Sequence, residues 1–182
     1  MSHVLVPLAQ GCEELEAITI TDLLVRAGVS VTTCGLDEMP VKASRGTTII
    51  PDTCIDRVMD ESYDLIALPG GLPGADHLRD NEQLQLLLKK QAKNNKFLAA
   101  ICAAPKALAE AGLLNGKTAT SYPGILEALD DTSINITQNT VEIDGKIVTS
   151  RGPGTAMDFA LTLIELLEGR EKRDEINRQL VR

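Results

Sequence analysis

The chain has 182 residues, 43% apolar and 24% charged, with a net charge of −8. That balance suits one globular domain spanning residues 1–182, with a sizeable core, and argues against disorder. The acidic charge, the lack of a basic run beyond Lys89-Lys90 and Arg170-Glu171-Lys172-Arg173, and an aromatic set of two Phe and two Tyr exclude nucleic-acid binding as the main activity.

No apolar stretch approaches the roughly 20 residues that span a bilayer. The amino terminus enters a strand-like run at once, so no leader is expected, and a cytoplasmic setting with reduced thiols follows. The four cysteines, at 12, 34, 54 and 102, show no metal-ligand spacing. No metal or cofactor is expected.

His3-Val4-Leu5-Val6-Pro7-Leu8-Ala9 reads as the first strand. The loop Gln10-Gly11-Cys12 then leads into a helix with apolar residues at 15, 18, 20, 23, 24 and 27, closed by Gly28. Glu13, Glu14 and Glu16 complement its dipole. Glu16, one turn in, is able to face inward, whereas Glu13 and Glu14 are placed nearer the exposed start. Residues 29–34 form a second strand. Short extended pieces near 41–44 and 47–50 suggest a β-ribbon, and Cys34 and Cys54 have no partner motif.

Asp64-Leu65-Ile66-Ala67-Leu68 is a buried strand that ends in Pro69-Gly70-Gly71-Leu72-Pro73-Gly74. Adjacent glycines let the backbone approach a ligand or another loop, or simply make a tight turn. The pattern is neither GxGxxG nor a Walker loop, which excludes a dinucleotide or P-loop reading. A helix over 82–94 precedes the central stretch Phe97-Leu98-Ala99-Ala100-Ile101-Cys102-Ala103-Ala104-Pro105. Five apolar residues run into a cysteine, two small residues and a proline, and then a helix. Such a turn exposes its residue at the carboxyl edge of a sheet, where ligands bind in open α/β folds. The helix amino terminus beneath the thiol favours thiolate. A nucleophile and a buried structural cysteine both remain open on this stretch alone.

Residues 117–121 read as a short strand, Tyr122-Pro123-Gly124 opens a helical piece ending near Leu129, and 141–149 form a hairpin around Asp144-Gly145. The loop 150–155 precedes a long apolar helix over 156–167, and a charged amphipathic helix covers 170–181. Strands alternating with helices indicate a mostly parallel sheet with helices on both faces.

A cysteine nucleophile usually needs a histidine. His3 falls at the amino-terminal edge, and no spacing ties His77 to Cys102. No histidine follows the 121–151 region, which excludes the downstream His-x-Glu arrangement of amidotransferases. The remaining acid is Glu16. Beside a thiolate in an apolar pocket its pKa should rise, and it should donate to sulfur or to a sulfinate.

Gly11-Cys12-Glu13-Glu14-Leu15-Glu16, 22–28, Ser44-Arg45, Leu68-Pro69-Gly70-Gly71, 99–105 and Thr149-Ser150-Arg151-Gly152-Pro153-Gly154-Thr155 fall in order across nearly the whole chain. In these stretches the sequence resembles the ThiJ/PfpI superfamily, in the branch of the parkinsonism-associated protein deglycase and bacterial YajL. The resemblance implies a flavodoxin-like three-layer α/β sandwich, a homodimer formed through the first helix, and Cys102 as a reactive, oxidisable thiol with Glu16 as its protonated partner. It places oxyanion-type donors at the backbone N–H groups of Gly71 and Ala103. The pocket it implies holds Gly70, Ala104, Tyr122 and Arg45, with Arg26 and Arg151 nearby as salt-bridge formers. Tyr122 stands where the deglycase has a histidine, and a phenol is a poor general base near neutral pH. Protease-like members carry a histidine straight after the cysteine, and Ala103 here excludes peptidase activity.

The implied activity is that of a cysteine-dependent deglycase or glyoxalase acting on methylglyoxal, glyoxal or their early protein and nucleotide adducts. The alternative is a non-enzymatic oxidative-stress sensor or redox-regulated chaperone using the same cysteine.

Overall fold

The computed structural model describes all residues, Met1–Arg182. In chain order the elements are β1 (His3–Leu8), α1 (Glu14–Arg26), β2 (Ser30–Gly35), β3 (Val41–Lys42), β4 (Thr48–Ile49), β5 (Thr53–Cys54) and β6 (Leu65–Leu68). There follow α2 (Gly74–Asp80), α3 (Glu82–Lys93), β7 (Phe97–Ile101), α4 (Pro105–Glu110), β8 (Thr118–Ala119), β9 (Asn135–Ile136), β10 (Val141–Asp144), β11 (Ile147–Ser150), α5 (Ala156–Glu168) and α6 (Arg170–Gln179).

A seven-stranded sheet runs in the order β10-β11-β7-β6-β1-β2-β5, parallel throughout except for the β10–β11 hairpin at one edge. Its central strands β6 and β7 are apolar on both faces because both faces are covered, as parallel sheets require. On one face α1, α5 and α6 pack over a core that includes Val4, Val6, Ile20, Leu24, Phe159 and Ile164. On the other, α2, α3 and α4 pack over Leu5, Ile66, Leu68, Leu84, Leu88 and Leu108. The alternation of Val4, Leu5 and Val6 between the two cores is the period-two signature of a strand buried from both sides. This is the flavodoxin-like sandwich.

The register puts Ile101 beside Ser150 and Leu68 beside Ala100. The loops leaving β1, β6, β7 and β11 therefore emerge together at the carboxyl edge. The β3–β4 ribbon folds onto the same end, where the Gly11 N–H donates to the Lys42 carbonyl at 2.7 Å.

Three expectations are corrected. The helical piece after Gly124 is a single 3-10 turn over Glu127–Leu129, ended by the left-handed Asp130. The strand expected over 117–121 shrinks to β8, which pairs with β9 outside the main sheet. Beyond it, the Thr120 N–H turns to the Thr149 hydroxyl at 2.9 Å, which ends the ladder. An additional helix, α2, follows the glycine loop. Asn81 separates it from α3, accepting the Leu84 N–H at 2.8 Å as an N-cap.

Candidate active site

Cys102 follows β7 directly and adopts φ +63, a left-handed conformation that a non-glycine residue holds only under constraint. The constraint is visible on both sides. Its N–H donates to the Ser150 carbonyl at 3.0 Å, and its carbonyl accepts the Tyr122 N–H at 2.8 Å. The turn leaves the residue 8% exposed, at the base of an open cavity.

The Gly70-Gly71 pair makes the elbow possible. A Cβ on Gly70 would stand 2.7 Å from the Cys102 Cβ and 2.8 Å from the Ala103 nitrogen. Gly71, at φ +90, presses against the start of α1, where a Cβ would strike the Glu13 nitrogen. In return its N–H, with that of Ala103, bears on the Cys102 sulfur and favours its ionised form.

Glu16 reaches the same point from α1 and is 0% exposed. Its Oε2 accepts the Gly70 N–H at 2.7 Å. Oε1 is buried without a hydrogen-bond partner, and the Cys102 thiol is among the groups that influence the carboxyl. Burial raises the Glu16 carboxyl from its ordinary 4.5 to about 7, against the lowering effect of the Gly70 N–H. Burial, followed by the charge of an ionised Glu16, pushes the Cys102 thiol up, against the Gly71 and Ala103 N–H groups, so the two groups do not ionise together. The helix that follows, α4, has only six residues, and the donors at the sulfur are the Gly71 and Ala103 N–H groups.

The rest of the cavity comes from distant segments. About 390 Å³ in volume, it is lined by Glu13, Ser44, Arg45, Gly71, Leu72, Cys102, Ala103, Tyr122, Ile125 and Pro153. Glu13 departs from the expectation of an exposed residue. It is 7% exposed because the ribbon folds over it, and its Oε2 accepts the Ser44 hydroxyl at 3.1 Å. The exposed Arg45 guanidinium lies 3.9 Å from the same oxygen. Glu14 clasps the ribbon from outside, accepting the Arg45 N–H at 3.0 Å and the Thr47 N–H at 3.2 Å. Burial pushes that carboxyl up, but its own N–H and those of Arg45 and Thr47 outweigh it and hold it down at about 2.

Two of the expected pocket residues sit behind the wall. Gly70 spends its N–H on Glu16, and Ala104 is turned into the core on the α2–α4 face. Arg26 pairs with Asp22 at 2.7 Å on the exposed side of α1, and Arg151 is not among the residues lining the cavity. Neither histidine lines the cavity: His3 Nε2 meets the Thr32 hydroxyl at 2.9 Å, and His77 Nδ1 the Gln10 carbonyl at 2.9 Å. All four cysteines are free, and burial pushes the Cys12 thiol up to about 11. Glu13, Ser44, Leu72, Ile125 and Pro153 were missed by sequence reasoning as cavity residues. The exposed apolar Leu72 within a glycine loop was the one signal available.

The arrangement resembles that of known proteins. Residues 2–166 match the model of the DJ-1/PfpI family. The chain is 45% identical over 176 residues to Protein DJ-1 homolog A of Arabidopsis thaliana, covering 96% of this chain but only 45% of that protein. It is 43% identical to Protein dj-1beta of Drosophila melanogaster, covering 97% and 95% of the two chains. The crystal structure of Drosophila DJ-1beta superposes with a TM-score of 0.96 over 100% of this chain and 98% of that one. A Caenorhabditis elegans relative, 34% identical over 94% of this chain and 91% of its own, bears the name glutathione-independent glyoxalase DJR-1.2. With these likenesses running the length of the chain and the strand–cysteine–helix elbow in place, the protein belongs to the DJ-1/PfpI family.

Proposed function

We propose that the protein is a cysteine-dependent enzyme of the glyoxalase and deglycase type, acting on small α-oxoaldehydes or their early adducts. The observation that carries this reading is the buried Glu16–Cys102 pair, with a carboxyl oxygen that has no other partner and two N–H groups turned to the sulfur. A carboxylate and a thiolate do not both stand unpaired in such a site. The pair loses one proton near neutral pH and keeps the other. A proton retained on Oε1 gives that oxygen a partner and leaves the negative charge on sulfur, where Gly71 and Ala103 donate. The name of the Caenorhabditis relative supports the same chemistry.

In this mechanism the Cys102 sulfur adds to the aldehyde carbon, forming a C–S bond while the C=O π bond breaks and its oxygen takes up the proton held by Glu16, leaving Glu16 as a carboxylate. Glu16 then moves a proton from that carbon to the neighbouring ketone carbon while the new hydroxyl gives its proton to the ketone oxygen, so one carbon is oxidised as the other is reduced. Water cleaves the resulting thioester, breaking the C–S bond, and the 2-hydroxy acid leaves with the thiol restored. The sum is oxoaldehyde plus water, with no external oxidant or reductant. Glycated thiols and amines enter as early adducts of the same aldehyde carbon. A homodimer through α1 fits the family and the half-exposed Leu15, Ile18 and Val25 on that helix.

Methylglyoxal consumption by the wild type, Cys102→Ser and Glu16→Gln, with lactate quantified under reducing conditions, tests the proposal. Turnover that both substitutions abolish is the expected result. No wild-type turnover, with Cys102 still oxidised readily by peroxide, would overturn it in favour of a redox sensor.

A further inference from the structure

We infer that the cavity over Cys102 selects α-oxoaldehydes bearing an apolar or aromatic substituent, and that Tyr122 sets this preference; the inference rests on the enzymatic reading above. The lining divides by chemistry. Glu13, Ser44 and Arg45 form a polar group tied together by their own contacts. Leu72, Tyr122, Ile125 and Pro153 form an apolar group. Within it, Leu72 and Tyr122 are 53% and 51% exposed. Large apolar side chains left open to water around a reactive thiol mark a surface that a ligand covers.

Size points the same way. Methylglyoxal has five non-hydrogen atoms and occupies at most about 150 Å³ if each is allowed the volume of a liquid water. The cavity offers about 390 Å³. The methyl substituent leaves the apolar group uncovered, whereas a phenyl or branched alkyl group reaches it.

Tyr122 is held for this role. Its backbone N–H donates to the Cys102 carbonyl at 2.8 Å, which anchors it one hydrogen bond from the reactive residue. Its ring lies against Gly152, where an added Cβ would come within 3.3 Å of Cδ2. The Ile125 N–H donates to the Tyr122 carbonyl at 3.1 Å and closes the turn that carries both side chains. An aromatic face in the same cavity wall as the thiol stacks on a flat substituent. The ring, rather than the hydroxyl, is the recognition element.

The test compares kcat/KM for phenylglyoxal and methylglyoxal in the wild type, Tyr122→Phe and Tyr122→Ser, with mandelate and lactate as products. The readout is the change in the aryl-to-methyl ratio between variants, which cancels the intrinsic reactivity of the two aldehydes. Tyr122→Phe should keep the wild-type ratio within about twofold, and Tyr122→Ser should lower it by about three- to tenfold, mainly through KM for the aryl substrate. Leu86→Ser, at an exposed position on α3 away from the cavity, should leave the ratio unchanged. Turnover of both aldehydes with the same ratio in Tyr122→Ser overturns the substituent preference and leaves the enzymatic reading standing. If neither aldehyde is consumed the enzymatic reading fails, and protection of Cys102 from alkylation decides the pocket's preference separately. Acetophenone should then protect better than acetone in the wild type but not in Tyr122→Ser, and equal protection in the wild type overturns the inference.

Discussion

The chemistry of single residues turns on a carboxyl kept out of water. Because burial raises the Glu16 carboxyl from 4.5 to about 7 and the pair keeps both protons below that value, the folded chain holds a proton that the unfolded chain has already released over that interval. Stability therefore falls as pH rises from about 4.5 to about 7, by on the order of 2–3 kcal/mol. Urea unfolding between these limits should show the decline in the wild type and a flatter profile in Glu16→Gln; equal slopes would contradict the assignment. The same substitution should cost about 10² to 10⁴ in turnover if Glu16 shuttles the proton. At Gly70 the argument is steric. Alanine there collides with the Cys102 Cβ at 2.7 Å and with backbone, so Gly70→Ala should lose about 1–3 kcal/mol in stability and displace the thiol. A variant of wild-type stability with unchanged Cys102 alkylation would refute the packing account.

Between elements, the decisive contact is the β3–β4 ribbon on the start of α1. Glu14 accepts N–H groups from Arg45 and Thr47 and is held at about 2, so the clasp is intact at neutral pH and fails only as pH falls through that value. Glu14→Gln, which loses the charge that draws those donors, should speed hydrogen exchange at Arg45 and Thr47. It should raise KM through the loosened Ser44–Arg45 wall, while Cys102 alkylation stays as in the wild type. Unchanged exchange would show that β3 and β4 hold the ribbon alone. This clasp also shows where sequence reading stops. The strand–cysteine–small–small–proline run exposed the elbow because its signal is local, and Glu16 followed from its place one turn into a helix. Glu13 was misplaced because its burial depends on a ribbon some 30 residues away. Leu72, Ile125 and Pro153 converge only when loops after different strands meet, and no periodicity encodes that. The brief 3-10 turn at Glu127–Leu129 lacked an apolar period, so its helical reading had only turn residues behind it.

Across the whole molecule, one sheet order explains why these parts meet. Placing β6 between β1 and β7 brings the glycine loop between the start of α1 and the Cys102 turn, so Glu16, Gly71 and Cys102 meet at one carboxyl edge. That placement was legible from the alternation of strands and helices, whereas the order of the strands was legible only through family resemblance. The half-exposed Leu15, Ile18 and Val25 on α1 give the expected dimer an apolar seam. Sedimentation should show a dimer that Ile18→Glu dissociates, and a wild-type monomer at micromolar concentration would contradict that assembly. The account as a whole rests on Cys102 being a thiolate beside a neutral Glu16. The measurement that tests this most directly is the rate of Cys102 alkylation as a function of pH. The account predicts a rise whose midpoint lies below the ordinary thiol value of 9.0, as the first proton lost by the pair leaves the sulfur. A rise that begins only above the ordinary thiol value of 9.0, with Glu16 already ionised, would contradict it.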